Sequence, residues 1–238
     1  MIKNKTISLV LPCRNEANHL HEVLKLVPSF VDEIIIVSNK SKDNTVGVAK
    51  KLAKNDRRIV VLQDDRTIDG IGYGYAHMTG IQAATGDIIV GADSDGTYPL
   101  YEIARVVEFM LSKEHDFISC ARYPLQEGVK IPFKLQLGVN LLNWEIKLLY
   151  NIPIRDALSG MWVFKKSIRD KLNLSMGEWN LSPQIKINAA KHPEISFSQF
   201  SISQDQRMGE TKQNYFKTGF SHAKWIFMNK FRDYSEIK

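Results

Sequence analysis

Two acidic residues, Asp93 and Asp95, directly follow the apolar run 88–92. In an extended segment, residues i and i+2 point to the same side, so both carboxylates converge at the end of a buried strand. Carboxylate oxygens are the ligands that Mg²⁺ and Mn²⁺ prefer, and these ions keep positions for water and substrate phosphates. The pair therefore predicts a divalent-cation site, although Asp-x-Asp alone is also typical of a turn or a helix cap.

Further polar segments are candidates for the same site. Two follow the first two strand-like runs, one is glycine-rich and precedes a predicted helix, and two lie later in the chain: 12–16, 38–45, 70–74, 156–162 and 207–212. In open α/β sheets, sites lie beyond the carboxyl ends of the strands. We therefore expect these segments to gather around Asp93 and Asp95.

The elements that must position these residues alternate between strand-like and helix-like stretches. Strands are predicted at 6–11, 33–37, 58–62, 87–92, 116–121, 159–164 and 195–202. Helices are predicted at 43–54, 99–111, 133–150, 166–172 and 182–191, with another ending at Ala84. Short apolar strands separated by helices indicate a mostly parallel sheet with helices on both faces. We predict a single-domain, Rossmann-like α/β fold.

The composition limits the classes of molecule that this chain is expected to bind. The 238 residues suffice for one sizeable domain, and the net charge of +6 favours anionic partners such as phosphate-bearing substrates or a membrane face. No nucleic-acid-binding motif is present, so no nucleic-acid partner is predicted. There is no long apolar run, no signal-peptide pattern after Met1, and no metal or disulfide spacing for Cys13 and Cys120. A cytoplasmic protein is expected.

Taken in order, the polar segments resemble the family 2 glycosyltransferases with the GT-A fold. Within that family they are most similar to polyprenyl-phosphate sugar transferases such as dolichol-phosphate mannose synthase, from about Thr6 to Lys212. The resemblance implies an inverting transferase that moves a sugar from a nucleotide-sugar to a polyprenyl phosphate, with Mg²⁺ or Mn²⁺ as cofactor. It also implies a catalytic domain over 1–212 and a basic, aromatic helical tail over 213–238.

The resemblance assigns donor roles to individual residues. Asp95 would bind the cation that bridges the donor diphosphate, and Asp93 would contact the metal or the ribose. The implied nucleotide-sugar contacts are Pro12, Asn15, Glu16, Ser38, Asp43, Gly72, Asp93, Arg207 and Lys212. Ser38 replaces the family's base-reading Asp, so the base stays open. Glu16 and Asp43 have helix capping as an alternative role, and the glycines a simple turn.

On the acceptor side, Arg122 resembles the arginine that meets the lipid phosphate, while a second expected arginine is missing and Lys130 or Lys134 would replace it. Asp156 would serve as general base for a hydroxyl acceptor. With a phosphate acceptor it would orient the acceptor or the sugar, or it would cap the turn at Ser159.

The helix 133–150 resembles one that lies along the membrane in this group, and the tail has an interfacial composition. Peripheral membrane contact is therefore expected, with packing in the core or a dimer contact as alternatives. The oligomeric state is left open.

Two other functions compete with transfer to a lipid phosphate. A family 2 enzyme acting on a sugar hydroxyl would keep the donor site and require Asp156 as a base. A non-catalytic binding protein that kept the fold would account for Ser38 and for the missing second arginine.

Overall fold

Seven strands form one mixed sheet in the order β3-β2-β1-β4-β6-β5-β7. The computed structural model describes residues 1–68, 71–123, 133–209, 211 and 214–231, with only the backbone of Lys134. The strands are β1 Ile7–Cys13, β2 Glu33–Ser38, β3 Ile59–Gln63, β4 Ile88–Gly91, β5 Phe117–Ala121, β6 Trp162–Lys165 and β7 Phe197–Ser201. The helices are α1 Leu20–Lys25, α2 Thr45–Ala53, α3 Tyr73–Ala83, α4 Ile103–Ser112, α5 Phe133–Tyr150, α6 Leu181–Lys191 and α7 Tyr215–Lys230.

The parallel half of the sheet sets the position of the site. β1 pairs in parallel with β2 on one side and with β4 on the other. The carboxyl ends of these strands therefore lie at one edge, and the chain order reverses between β1 and β4. A crevice forms beyond such a switch point because the connections on either side leave in opposite directions. The strand β6 is antiparallel to both β4 and β5.

Helices cover both faces of the sheet because the central strands are apolar on both sides. Leu9 and Ile36 belong to the cluster beneath α1, α2 and α4, whereas Val10 and Val37 pack beneath α3 and α6. A third cluster joins α5 to α7 and α6, through residues that include Leu142, Ile146, Ile187 and Ile226. This cluster places α5 and α7 side by side.

The predicted fold is confirmed, with local differences. β1 continues two residues further than expected, to Cys13, because Pro12 and Cys13 still pair with β2. The predicted helix at 166–172 is instead two 3₁₀ turns, which end at Asn173 in the left-handed region with φ 45°. The strand predicted at 159–164 begins at Trp162.

The helical tail is present from Tyr215, and Asn214 caps it by accepting a hydrogen bond from the Lys217 amide at 3.1 Å. The division of the chain at residue 212 stays a prediction, since Lys212 lies outside the described residues. No described helix combines the length and hydropathy needed to cross a membrane.

Candidate active site

A cleft lies at the carboxyl ends of β1 and β4. Its volume is about 600 Å³, including the space at its open mouth. It is lined by the turn 93–95, by residues from four of the five other polar segments and by Ala76 and Trp179; no residue of the segment 156–162 lines it. The lining residues are Pro12, Cys13, Arg14, Glu16, Asn39, Ile71, Tyr73, Ala76, Asp93, Ser94, Asp95, Trp179, Arg207 and Thr211. The fold therefore brings the acidic pair, the β1 turn and Arg207 together, as expected from strand order.

The turn after β4 fixes the acidic pair. The Ser94 hydroxyl donates to the Pro12 carbonyl at 2.7 Å, which ties this turn to the end of β1. One oxygen of Asp95 accepts from the Thr97 amide at 2.9 Å, and Gly96 between them has φ +77°. Such a left-handed position suits glycine, so the turn can close tightly beneath the carboxylates.

Asp93 and Asp95 are close enough to affect each other's charge. Burial, together with the neighbouring charge of Asp95, raises the pKa of Asp93 to about 7, although the Tyr73 hydroxyl donates to it at 2.9 Å. Two crowded carboxylates suit a divalent cation that offsets their repulsion. No three His, Cys, Asp or Glu side chains converge within the described ranges. A two-carboxylate site fits Mg²⁺ or Mn²⁺, which complete their shell with phosphates and water.

Arg207 reaches the acidic pair from the segment after β7. Its guanidinium binds Asp95 at 2.6 Å, and the next amide, of Met208, donates to the Asp95 carbonyl at 2.7 Å. Arg207 remains 40% exposed and lines the cleft. The predicted Lys212 lies outside the described residues. The segment 207–208 thus supplies a cation beside the two carboxylates.

An aromatic wall that the sequence did not predict lies beside Asp93. Tyr73 stacks on Trp179 with ring centroids 4.4 Å apart. The Tyr73 ring also packs edge-on against the buried ring of His77, with centroids 4.7 Å apart. The segment 70–74 is predicted as part of the site through its glycines and not through Tyr73, and nothing in the local pattern around Trp179 marks it for this site. The two residues meet because the Gly177 carbonyl accepts from the Tyr75 amide at 3.0 Å, which docks the start of α3 on this segment.

Gly72 does not line the cleft. Its amide donates to the Glu178 carboxylate at 2.9 Å, and the same carboxylate accepts from the Ile68 amide at 2.8 Å. Gly72 has φ +70°, and a Cβ there would lie 2.4 Å from the Arg66 carbonyl and the Asn39 amide. Glycine is required here by backbone conformation and by crowding, in keeping with the turn alternative. Gly70 lies outside the described residues.

Two polar side chains lie in the cleft near the end of β2 and the β1 turn. Glu16 is buried, and its backbone amide donates to the Thr45 hydroxyl at 2.8 Å. Asn39 is buried too; its amide group donates to the Arg66 carbonyl at 2.9 Å, while its Oδ1 has no partner among the described residues. An unpaired buried acceptor in a cleft is a candidate for reading a ligand's N–H or O–H group.

Three predicted nucleotide contacts build the wall behind the cleft instead of lining it. Asn15, with φ +53°, accepts from the Lys42 amide at 2.7 Å, and the hydroxyl of Ser38 pairs with Ser41 at 2.9 Å. Asp43 accepts from the first amide of α2 at 3.0 Å, as a capping residue would. Burial opposes ionisation of Asp43, but hydrogen bonds from Thr45 and from the Ala17 amide lower its pKa overall.

Arg122 and Asp156 form a buried ion pair that does not line the cleft. The Arg122 guanidinium donates to both Asp156 oxygens, at 2.7 and 3.0 Å, and its amide donates at 3.1 Å. Asp156 is fully buried, whereas the Arg122 side chain is 15% exposed. Burial alone would raise the pKa of Asp156, but the Arg122 charge lowers it overall. Lys130, a candidate to replace the missing second arginine near Arg122, lies outside the described residues.

Comparison with known proteins identifies the family. The family model described as Glycosyl transferase family 2 matches residues 8–172. The low-salt glycan biosynthesis hexosyltransferase Agl6 of Haloferax volcanii is 24% identical over 231 residues, covering 94% of this chain and 54% of that protein. The chain thus spans little more than half the length of this relative. A UDP-N-acetylglucosamine–dolichyl-phosphate N-acetylglucosaminyltransferase of Methanococcus voltae is 26% identical over 181 residues, covering 69% of this chain and 71% of that one.

Solved structures share the fold. Glucosyl-3-phosphoglycerate synthase of Mycobacterium tuberculosis in complex with uridine diphosphate has a TM-score of 0.73 at 17% identity, covering 98% of this chain and 82% of that one. Another crystal structure of that enzyme contains Mn²⁺, uridine diphosphate and glucosyl-3-phosphoglycerate, with a TM-score of 0.70. The predictions of the family and the fold are confirmed, and the chain belongs to glycosyl transferase family 2.

Proposed function

We propose that this protein transfers a sugar from a metal-bound nucleotide-sugar to a polyprenyl phosphate at a membrane surface. The observation that carries the proposal is the acidic pair at the end of β4, which lines the cleft together with Arg207, whose guanidinium binds Asp95 at 2.6 Å. A nucleoside diphosphate is the leaving group in such a reaction, and negative charge accumulates on its phosphates as the sugar bond breaks. Carboxylates for a cation and a nearby guanidinium are the groups that this chemistry requires.

Asp93 and Asp95 would hold Mg²⁺ or Mn²⁺, and the bound ion would neutralise charge on the leaving diphosphate. Arg207 is placed to bind the same diphosphate, since a guanidinium offers two parallel donors to phosphate oxygens. Its bond to Asp95 keeps it within 2.6 Å of the acidic pair. Lys212 stays a proposed second cation for the diphosphate.

The nucleoside would lie toward Glu16 and Asn39, because these buried polar groups line the cleft beside the end of β1. The unpaired Oδ1 of Asn39 offers an acceptor to a base N–H or a ribose hydroxyl. Asn39 follows Ser38, which replaces the family's aspartate, so the amide would take over the contact with the base.

The buried ion pair favours a phosphate over a hydroxyl as acceptor. Both oxygens of Asp156 are bound to Arg122, and the side chain is fully buried. A base for a hydroxyl acceptor must reach the proton that it removes. A phosphate oxygen is already anionic and needs no such base, so Asp156 would orient Arg122 toward it. The Methanococcus voltae relative is named for transfer to dolichyl phosphate.

Two neighbouring helices offer a surface for membrane contact. The outward face of α5 carries a stripe of exposed apolar side chains, and α7 with the residue that follows it carries a second one: Phe133, Leu137, Leu141, Trp144 and Leu148, then Phe216, Phe220, Phe227 and Phe231. Lys217, Lys224 and Lys230 flank the α7 stripe, and 215–230 contains no acidic residue. Apolar stripes bordered by lysines suit an anionic bilayer surface. They suit a second copy less well, since two lysine borders would repel each other.

The proposal is tested by a screen of nucleotide-sugars, including UDP-glucose, UDP-N-acetylglucosamine and GDP-mannose, against a polyprenyl phosphate. Each donor is assayed with Mg²⁺, with Mn²⁺ and with a chelator, and lipid-linked sugar is followed by mass spectrometry. The expected result is one preferred donor, metal-dependent transfer and no product with the chelator. No lipid-linked product with any donor, or product that persists unchanged with the chelator, would overturn the proposal.

A further inference from the structure

Lys186 in α6 is a fully buried lysine that the proposed chemistry does not use. Its side chain is 0% exposed, and Nζ donates to the Ala157 carbonyl at 2.9 Å and to the Ser159 carbonyl at 2.6 Å. Lysine is among the residues least often found fully buried, because removing its charge from water is costly. A fold retains such a group only where other interactions compensate for that cost.

The surroundings of Lys186 are made of charged and titratable groups from several elements. They are Arg122 and Cys120 at β5, Asp156 before β6, Asp93 after β4, and His222 of α7. Burial raises the pKa of the Cys120 thiol and lowers the pKa of His222 to about 4, so both are neutral near pH 7. Asp93 is assigned to the proposed cation, so Arg122 and Lys186 are then two cations against the carboxylate of Asp156 in the rest of this cluster. The net charge of this cluster therefore depends on the charge of Lys186.

The segment that Lys186 holds also borders the acidic pair. Gly160 follows Ser159, and a Cβ on Gly160 would lie 2.6 Å from the Tyr73 hydroxyl and 2.8 Å from an Asp93 oxygen. Lys186 therefore connects by two hydrogen bonds to the backbone that lies against Asp93. Because the ammonium itself is inaccessible, it acts on a ligand only through its field and through the residues that it positions.

We propose that Lys186 is a positioning residue that gives the Arg122–Asp156 pair a net positive charge, so that this side of the site takes a phosphate-bearing acceptor in preference to a neutral hydroxyl. This inference rests on the proposed function. Without Lys186, the carboxylate of Asp156 would cancel the charge of Arg122. With Lys186 added, a positive field remains, and a buried charge is screened less than an exposed one.

The test compares Lys186→Met, which removes the charge, with Lys186→Arg, which keeps it at every pH. The Michaelis constant for the polyprenyl phosphate is measured between about pH 6 and pH 8, because burial lowers the pKa of Lys186 to about 7. In the wild type, the constant should rise with pH as the ammonium loses its proton. In Lys186→Met it should be about tenfold above the wild-type low-pH value. In Lys186→Arg it should stay near that low-pH value throughout.

Donor affinity in the presence of metal should change less than the acceptor constant does in both variants, which a general loss of structure would not allow. An unchanged acceptor constant in Lys186→Met would overturn the inference. If neither variant folds, the wild type still decides it, since an acceptor constant that stays level or falls with rising pH would overturn the inference as well. Absence of any lipid-linked product from the wild type would overturn the proposed function instead.

Discussion

Tyr73 connects the acidic pair to the aromatic wall of the cleft. Its hydroxyl donates to Asp93 at 2.9 Å, and its ring stacks on Trp179. The hydrogen bond orients one carboxylate, while the stacked rings exclude water from that side. A change in geometry at this residue would therefore affect both the proposed cation site and the proposed position of a sugar next to it.

Replacing Tyr73 by Phe should lower kcat/KM by about tenfold, since a hydrogen bond to a charged group contributes about 1.5–3 kcal/mol. The ring and its stacking remain, so the midpoint of thermal unfolding should change little. The matched control is Tyr101→Phe, because the Tyr101 hydroxyl bonds Ser203 away from the cleft lining. Equal kinetics in Tyr73→Phe and the wild type would show that Asp93 needs no such orientation.

Replacing Asp95 by Asn should reduce turnover by about a hundredfold or more, the scale seen when a group that stabilises developing charge is removed. Calorimetry should show that metal no longer strengthens donor binding. Asp170→Asn serves as control, since Asp170 is 86% exposed and pairs with the neighbouring Arg169 at the surface. Metal-dependent donor binding that survives in Asp95→Asn would place the cation elsewhere.

At the scale of elements, the pairing of α5 with α7 leaves two apolar stripes facing outward. Ile226 is fully buried between the helices, and the Tyr150 hydroxyl donates to its carbonyl at 2.7 Å. The next residue, Phe227, is 54% exposed. The helices therefore use one face for the core and keep the other for solvent or a partner, which the sequence alone left undecided.

The double variant Phe216→Ser/Phe220→Ser should bind vesicles containing phosphatidylglycerol about a hundredfold more weakly than the wild type, because each exposed ring adds about 1.5–3 kcal/mol when fully buried in apolar surroundings. Co-sedimentation measures the bound fraction. Val60→Ser, at the exposed edge strand β3, is the control. Equal binding by the double variant and the wild type, or equal binding to neutral phosphatidylcholine vesicles, would contradict the membrane role of α7.

The sequence predicted the sheet well because its central strands are apolar on both faces, a pattern that few other elements share. The same reasoning placed Asp93, Asp95 and Pro12 at one edge, since they follow neighbouring strands. It did not place Trp179, whose approach depends on the packing of α3 against 176–178. Nor could it show that Arg122 and Asp156 pair, because residues 34 positions apart meet only in the folded sheet.

For the molecule as a whole, two buried histidines make stability depend on pH. Burial lowers the pKa of His77 to about 3 and that of His222 to about 4, from 6.5. Below about pH 6.5 the unfolded chain takes up protons that the folded chain does not, so the free energy of unfolding falls as pH falls. From about pH 7 to pH 5, each histidine should remove about 2 kcal/mol.

Urea unfolding at these two pH values checks this expectation. His222→Gln should show a smaller loss of stability than the wild type, because glutamine stays neutral and can still donate to Asn180, the present partner of His222. His21→Gln, at an exposed position of α1, should show the same loss as the wild type. A wild-type stability that is constant over this range would contradict the role given to the two histidines.

In the proposed function, the acidic pair supports transfer of a sugar to a lipid phosphate. The most direct measurement is a competition between two acceptors. The protein is given one nucleotide-sugar, Mn²⁺ and an equal mixture of a polyprenyl phosphate and the polyprenol of the same length. We predict that sugar appears on the phosphate alone and that the product disappears in Asp95→Asn. Sugar on the polyprenol, or equal product from Asp95→Asn, would contradict the account.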